Sequence, residues 1–259
     1  MKKIFELKGN ESQLIGSVAL RKMKQYLGRL IIPCLPITPH VFNHIRWELR
    51  GIWVRANNKL NPIFIVRRRT ITQGDNLSVN IGCGGSGKIG WVNLDLMNHA
   101  NLSLRWDCRK TLPLRGESAI RIRCEHFLEH LDPYEEVPLF LKSCYKSLKE
   151  GGVLRIVVPD AEQFLRAYQS GKREDWIALG WDISNLPEGF HTQMDIINHV
   201  FRQCEEHVYA YDYETLEFVL RRAGLNKIQK YEFGVSFDSE LCDDLPNHKP
   251  YSLYVEAIK

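Results

Sequence analysis

One short stretch of the chain, VNIGCGGSGKIGWVNLDL at 79–96, most restricts the fold and the ligand that this sequence can have. Its glycines Gly82, Gly84 and Gly87 match the pattern G-x-G-x-x-G of dinucleotide-binding folds. In those folds the third glycine begins a full helix, and an acidic residue follows about 20 residues further on. Here only seven residues separate Gly87 from Asp95. Because no crossover helix fits into that interval, the spacing argues against a nicotinamide-dependent oxidoreductase.

The composition is that of a folded protein with one catalytic-size domain and an extension. The chain has 259 residues, of which 44% are hydrophobic and 25% are charged. The seven cysteines are scattered and form no C-x-x-C pair, so we predict neither a disulfide framework nor a metal site. No apolar run approaches the roughly 18 residues of a spanning helix, and no apolar segment follows the N-terminal lysines. The predicted location is therefore cytoplasmic.

Basic charge is concentrated at the beginning of the chain. Residues 1–76 contain 14 Lys and Arg against 4 Asp and Glu, whereas residues 77–259 contain 21 against 27. Apolar residues recur at helical spacing over 20–31 and over 42–53, with prolines between the two stretches. We predict an N-terminal extension of two amphipathic basic helices over 1–76. Three roles stay open for it: a cap with a solvated basic face, peripheral contact with the inner membrane surface, or nucleic-acid binding, for which no recognisable motif is present.

From residue 77 onward, predicted strands alternate with predicted helices. This order is typical of an α/β domain with a seven-stranded, mostly parallel, Rossmann-like sheet and helices on both faces. The domain is predicted to span 77–259, with an insertion at about 171–206 that lacks clear periodicity and is interpreted as a substrate lid. The predicted strands are Leu77–Ile81, Trp91–Leu96, Leu102–Trp106, Ala119–Cys124, Val153–Val158, Lys227–Phe233 and Ser252–Ala257, and the predicted helices are Val137–Leu148, Ala161–Tyr168 and 212–223.

A ligand without phosphates suits the shortened crossover better than a dinucleotide does. S-adenosylmethionine requires glycines where the backbone lies against its methionine arm. A carboxylate at the end of the second strand can accept from both ribose hydroxyls, and a second one after the third strand can accept from the adenine amino group. Asp95 and Asp107 stand at those two places.

Several motifs together resemble the class I S-adenosylmethionine-dependent methyltransferases. They are VNIGCGGSG, VNLDL, WDCRKTLPL, EHFLEHL, YKSLKEGGVLRIVVPD and YDYETLEFVLRRAGL. The chain is most similar to a group of predicted methyltransferases with short G-C-G…G-W-x-N-x-D spacing, which is often associated with bacterial surface-glycan assembly. The resemblance implies S-adenosylmethionine as cofactor, bound by Gly82, Cys83, Gly84, Asp95, Leu96, Asp107, Cys108 and Glu125.

Histidines supply the candidate catalytic groups. His126 and His130 follow the fourth strand, whose carboxyl end faces the ligand crevice in open parallel sheets, and His207 precedes the point where the core resumes. A histidine with a pKa near neutrality can take the proton of a substrate hydroxyl as its oxygen attacks the methyl group. The alternative is that one of them only holds a loop by hydrogen bonding.

The predicted activity is S-adenosylmethionine-dependent methyl transfer, with O-methylation of a glycan or small molecule as the first choice. Adenine methylation is disfavoured because EHFL stands where adenine methyltransferases have [DN]-P-P-[YF]. Cytosine C5 methylation needs a nucleophilic cysteine after the fourth or fifth strand, and it is disfavoured because the only Pro-Cys pair, Pro33-Cys34, lies in the extension. The alternatives are a non-catalytic module that binds S-adenosylmethionine and, less favoured, an NAD(P)-dependent oxidoreductase. The sequence leaves the oligomeric state open.

Overall fold

The computed structural model describes residues 38–259, without the side chains of Pro39, His40 and Cys204. The chain divides into two units, Met1–Arg50 and Gly51–Lys259. In the described part of the first unit, the guanidinium of Arg50 lies 4.8 Å from the ring centre of Trp47. The predicted helix over 20–31 lies outside the described residues.

The described residues form seven helices and seven strands, apart from short 3-10 turns. The helices are α1 (Pro39–Leu60), α2 (Pro62–Gln73), α3 (Glu136–Ser147), α4 (Ala161–Ser170), α5 (Arg173–Ala178), α6 (Gln193–Arg202) and α7 (Tyr213–Arg222). The strands are β1 (Leu77–Ile81), β2 (Val92–Asp95), β3 (Leu104–Arg105), β4 (Ala119–Glu125), β5 (Leu148–Pro159), β6 (Lys227–Tyr231) and β7 (Ser252–Ile258).

All seven strands belong to one sheet, in the order β3-β2-β1-β4-β5-β7-β6. The pairs among β1 to β5 are parallel, whereas β7 runs antiparallel to both of its neighbours, β5 and β6. The predicted α/β, Rossmann-like, mostly parallel seven-stranded sheet is therefore confirmed. No helix among the described residues is long and apolar enough to cross a membrane.

One face of the sheet is apolar and packs against helices. Of the apolar residues that predict α3, Val137, Phe140, Leu141 and Cys144 are completely buried, whereas Tyr145 is only partly buried. Truncating a core phenylalanine such as Phe140 to alanine typically costs about 3–5 kcal/mol. The helix ends earlier than predicted, at Ser147, because Leu148 already pairs with Ala119 as the first residue of β5.

The other face is polar over β4, β5 and β7, and residues 232–248 cover it in place of a long helix. Arg155 is fully buried on this face. Its Nε and Nη2 donate to the two carboxylate oxygens of Asp244 at 2.9 and 2.6 Å, and its Nη1 donates to Glu256 at 2.7 Å. Since a buried charge is tolerated only when it is paired and hydrogen-bonded, these two carboxylates are what permit an arginine inside the core.

The insertion at 171–206 contains two of the helices, α5 and α6, although neither is predicted from the sequence. Trp176 and Ile196 from these helices are fully buried against Phe164 of α4, and they form an apolar cluster separate from the main core. The six residues of α5 offer too few turns for a repeating pattern to stand out. In α6 the residues Ile197, Val200 and Phe201 do follow helical spacing, so the prediction missed this helix. Whether the insertion acts as a lid stays a prediction, as does the domain boundary at residue 76.

Candidate functional site

The predicted cofactor residues lie at the carboxyl ends of neighbouring parallel strands. Gly82 follows β1, Asp95 ends β2, and Glu125 ends β4. The sheet places β1 between β2 and β4, so the chain reverses its direction of winding at this point. Open α/β sheets bind their ligands in the crevice at such a switch point.

The glycine turn after β1 has one packed side and one open side. Gly82 and Gly84 adopt φ values of +63° and +48°, the left-handed region in which a β-carbon is unfavourable. A β-carbon on Gly82 would lie 2.8 Å from Cδ2 of Phe127. One on Gly84 or Gly85 would meet no atom of the described residues within 4 Å. The turn therefore rests on Phe127 and leaves its other backbone surface accessible to a ligand.

The crossover from β1 to β2 contains no helix, as the spacing predicts. The buried side chain of Asn93 organises it instead. Its Oδ1 accepts from the backbone N–H of Lys88 at 2.9 Å, and its Nδ2 donates to the carbonyls of Lys88 at 2.7 Å and Asn101 at 2.9 Å. Asn93 is thus the residue that makes so short a crossover stable, a structural role that the sequence alone does not reveal.

Asp95 connects the end of β2 to the glycine turn. Its Oδ2 accepts from the backbone N–H of Gly84 at 2.9 Å, and its Oδ1 accepts from that of Met97 at 2.6 Å. The side chain is 13% exposed. An ionised carboxylate offers about four acceptor positions, so two remain after these bonds. This number matches a pair of ribose hydroxyls. The next residue, Leu96, is half-buried, and its carbonyl accepts from Nε of Arg105 at 3.1 Å.

Asp107 is buried after β3, where two arginines neutralise it. Nε of Arg109 donates to Oδ1 at 2.9 Å, and Arg55 of α1 donates to Oδ2. Burial alone would raise the pKa of Asp107, but the charges and hydrogen bonds of Arg109 and Arg55 hold it below its ordinary value. With guanidinium groups on both oxygens, its contact with an adenine amino group stays a prediction.

The two cysteines of the predicted cofactor site are small packed residues. Burial, together with the charge of Asp95, raises the pKa of Cys83 to about 12, and burial raises that of Cys108 well above its ordinary value. Thiols of this kind stay protonated at neutral pH and are poor nucleophiles. Cofactor contact by either residue would therefore be made with the backbone or by packing.

Glu125 faces the polar side of the sheet. It accepts from Nδ1 of His248 at 2.8 Å, from the backbone N–H of Leu245 at 3.3 Å and from Arg123. Burial alone would raise its pKa, but the hydrogen bond from His248 and the charge of Arg123 lower the pKa to about 2. Glu125 therefore helps to attach segment 232–248 to the sheet, and its cofactor contact stays a prediction.

All three predicted catalytic histidines converge near the end of β4, and Glu129 lies at the centre of the group. Nδ1 of His126 is 3.1 Å from Oε1 of Glu129, and Nε2 of His207 is 3.9 Å from the same atom. The rings of His130 and His207 are 4.8 Å apart, centre to centre. The sequence places Glu129 in this segment, but its central position depends on contacts with residues far away in the chain.

Each histidine is oriented by a different partner. Nε2 of His126 is 2.9 Å from Oγ of Ser252. Nδ1 of His130 is 2.8 Å from the carbonyl oxygen of Glu206, and Nδ1 of His207 is 2.6 Å from that of Val200. Burial lowers the pKa of His207, which favours its neutral form. The three histidines therefore share one location, but His130 and His207 face a backbone carbonyl with Nδ1, whereas His126 faces a hydroxyl with Nε2.

Glu129 itself is 1% exposed, and neither of its carboxylate oxygens has a hydrogen-bond partner among the described residues. The His126 contact has the distance of an ion pair without the alignment of a hydrogen bond. Burial alone would raise the pKa of Glu129, but the contact with His126 and the neighbouring histidines lowers it. A small cavity of about 10 Å³ borders Glu129, His207 and Tyr211. A wider cavity of about 430 Å³ next to Lys88 is lined by none of the predicted site residues.

No family model matches the chain, and no curated protein matches it. Similar solved structures include an S-adenosylmethionine-dependent methyltransferase from Archaeoglobus fulgidus, at 17% identity and a TM-score of 0.42, with 82% of this chain and 99% of that chain covered. A possible histamine N-methyltransferase from Thermotoga maritima has 18% identity, a TM-score of 0.41 and coverage of 85% and 96%. A methyltransferase from Mesorhizobium loti has 15% identity, a TM-score of 0.42 and coverage of 76% and 97%. Similarities of this strength do not place the chain in a family.

Proposed function

We propose that the protein is an S-adenosylmethionine-dependent methyltransferase. The observation that carries the proposal is the carboxylate of Asp95, held at the end of β2 by the N–H of Gly84 in an open glycine turn. The crossover after that turn lacks the helix whose N-terminus would bind a pyrophosphate. A nucleoside without a pyrophosphate, whose ribose hydroxyls reach Asp95, suits this arrangement best.

Methyl transfer from a sulfonium is an in-line displacement, in which the protein mainly positions the two reactants and excludes water. The acceptor oxygen forms the new bond to the methyl carbon as the carbon–sulfur bond breaks, and the hydroxyl proton must go to a base. His126 suits this role because Glu129 lies 3.1 Å from its Nδ1 and can stabilise the imidazolium. Its Nε2 would exchange the contact with Ser252 for the acceptor hydroxyl.

The acceptor that we propose is a hydroxyl of a glycan or small molecule. Its support is the resemblance of the motifs to a glycan-associated group. The second candidate, a module that binds S-adenosylmethionine without catalysis, is distinguished by His126→Gln. A catalyst would keep its cofactor affinity in this variant and lose turnover. Absence of turnover in the wild type with a broad panel of glycan acceptors would favour the binding module.

Asp95→Ala tests the cofactor site directly. Loss of hydrogen bonds to ribose hydroxyls should weaken S-adenosylmethionine binding by about 1–3 kcal/mol, measured by titration calorimetry. Asp75→Ala is the matched control, because Asp75 is an exposed carboxylate just before β1, at the opposite edge of the sheet, and its partners are Lys149 and Arg115. Equal affinities in the two variants would remove Asp95 from the site.

The helices before the sheet support a further proposal, peripheral contact with a membrane surface. Leu60, Ile63 and Val66 are 78%, 64% and 62% exposed, and they precede the basic residues 67–69 of α2. Exposed apolar side chains beside positive charge suit the interface of a membrane with anionic lipids.

A further inference from the structure

Three side chains with metal-binding atoms converge beside the segment after β4, two from that segment and one from the end of the insertion. One potential ligand atom from each of Glu129, His130 and His207 lies within 4.8 Å of the other two. We propose that these residues bind one divalent transition-metal ion of the Zn²⁺ type. The sequence predicts no metal ligands, since its cysteines lack local pairing and these three residues come from two distant segments.

The carboxylate of Glu129 is the first reason. Its side chain is 1% exposed, and neither oxygen accepts an aligned hydrogen bond within the described part of the chain, although Nδ1 of His126 lies 3.1 Å from Oε1. A buried polar group that lacks a hydrogen bond costs roughly 1–3 kcal/mol, and more when it is charged. A bound cation would remove this cost because it supplies positive charge and a direct bond to oxygen.

The orientation of the two histidines is the second reason. Nδ1 of His130 faces the carbonyl of Glu206 at 2.8 Å, and Nδ1 of His207 faces that of Val200 at 2.6 Å. A carbonyl oxygen only accepts, so each Nδ1 carries the hydrogen and each Nε2 keeps a free lone pair. Metal-binding histidines are commonly fixed in this way by a backbone carbonyl on the other ring nitrogen.

The separations of the ligand atoms are larger than a bound metal requires. Zinc binds histidine nitrogen and carboxylate oxygen at about 2.0–2.2 Å in a tetrahedral arrangement, so two ligand atoms on one ion lie about 3.4 Å apart. The three ligand atoms lie within 4.8 Å of one another, and Nε2 of His207 is 3.9 Å from Oε1 of Glu129. Metal binding therefore requires side-chain rotations that draw the three ligand atoms together.

The backbone holds the two contributing segments together. The carbonyl of Glu129 accepts from the N–H of Val208 at 2.8 Å, which fixes the end of the insertion beside the 3-10 turn Leu128–His130. The cavity of about 10 Å³ bordered by Glu129, His207 and Tyr211 offers space for one water as a further ligand. The phenol of Tyr211 is buried with no hydrogen-bond partner among residues 38–259, so it is available to that water.

The donor set selects the class of ion. Two imidazoles and one carboxylate suit zinc, iron(II) and related transition metals, whereas magnesium and calcium prefer sites made entirely of oxygen. A metal here would join the end of β4 to the end of the insertion at 171–206. It would thereby restrict the motion of the segment that the sequence predicts to be a lid.

Calorimetric titration with Zn²⁺ and Mg²⁺ after removal of bound metal by a chelator tests the site. We expect about one Zn²⁺ per chain for the wild type, no comparable Mg²⁺ binding, and a visible Co²⁺ absorption band on substitution with that ion. His191→Ala, which removes an exposed histidine of the same insertion, should bind Zn²⁺ as the wild type does. Loss of a residue that only hydrogen-bonds to a metal ligand typically weakens metal binding by roughly 10–100-fold. Because Glu129→Gln and His130→Ala each change a ligand itself, each should weaken Zn²⁺ binding by more than that.

Circular dichroism of each variant separates misfolding from loss of the metal site. Glu129→Gln is suited to this comparison because it preserves the size of the buried side chain. If the metal joins the two segments, Zn²⁺ should slow hydrogen exchange over 171–208 in the wild type and not in His130→Ala. Failure of the dialysed wild type to bind Zn²⁺, or equal binding by wild type and both ligand variants, would overturn the proposal. Affinity for S-adenosylmethionine is measured separately, so failure of the metal site and failure of the methyltransferase proposal are distinguishable.

Discussion

Replacing Gly82 by alanine tests how the glycine turn is built. At φ +63° an alanine costs roughly 1–2 kcal/mol in backbone strain. Its β-carbon would also lie 2.8 Å from the ring of Phe127, and such overpacking typically costs about 1–3 kcal/mol. We therefore expect Gly82→Ala to lower the free energy of unfolding by about 2–5 kcal/mol.

Gly84→Ala is the matched control, because it has a similar positive φ but open space around its β-carbon. It should carry only the backbone cost, about 1–2 kcal/mol, while its methyl group would occupy the open side of the turn and weaken S-adenosylmethionine binding. Urea unfolding measures both variants. In a Phe127→Ala background, which removes Cγ and Cδ2 of the ring, the Gly82→Ala cost should fall, as a double-mutant cycle would show. Equal destabilisation by the two glycine variants, or no relief from Phe127→Ala, would refute this account of the turn.

Two further predictions concern pH and membranes. The pKa of Glu125 falls from 4.5 to about 2 on folding, so its stabilisation is complete above about pH 4.5 and is lost as the pH falls toward 2. The wild type should lose about 3 kcal/mol of folding free energy over that interval. In urea unfolding, the stability of Glu125→Gln should depend less on pH than that of the wild type. Identical pH profiles would contradict the lowered pKa of Glu125. The wild type should sediment with vesicles that contain anionic lipid and not with neutral ones, whereas the double variant Arg67→Glu/Arg69→Glu should stay in solution. Equal sedimentation of the two proteins would exclude this surface.

Most of the main sheet was predictable, because its strands are apolar runs bounded by turn residues. The short crossover followed from the interval between Gly87 and Asp95, and α7 followed from its cap at Asp212, whose Oδ1 accepts from the N–H of Thr215 at 2.8 Å. These features depend on neighbours in sequence. Local pattern and spacing are therefore sufficient to reveal them.

The histidine cluster was only partly predictable. The sequence identified His126, His130 and His207 one by one, but their convergence on Glu129 depends on the hydrogen bond that brings Val208 beside that residue. The polar face of the sheet was hard to predict for the same reason, because it also depends on contacts between distant segments. Arg155 stands inside an apolar strand, and its partners Asp244 and Glu256 are far from it in the chain. Contacts between distant segments leave no periodic signal in the sequence.

The most direct test of the central claim is thermal unfolding of the wild type with S-adenosylmethionine, S-adenosylhomocysteine, NAD or NADP added separately. At about 100 times its dissociation constant, a ligand of the folded state adds about 2.7 kcal/mol and raises the melting temperature by a few degrees. A site built on Asp95 and the open glycine turn predicts a rise with the two adenosyl compounds alone. A rise with NAD or NADP alone would contradict it, because the short crossover would then accommodate a dinucleotide after all.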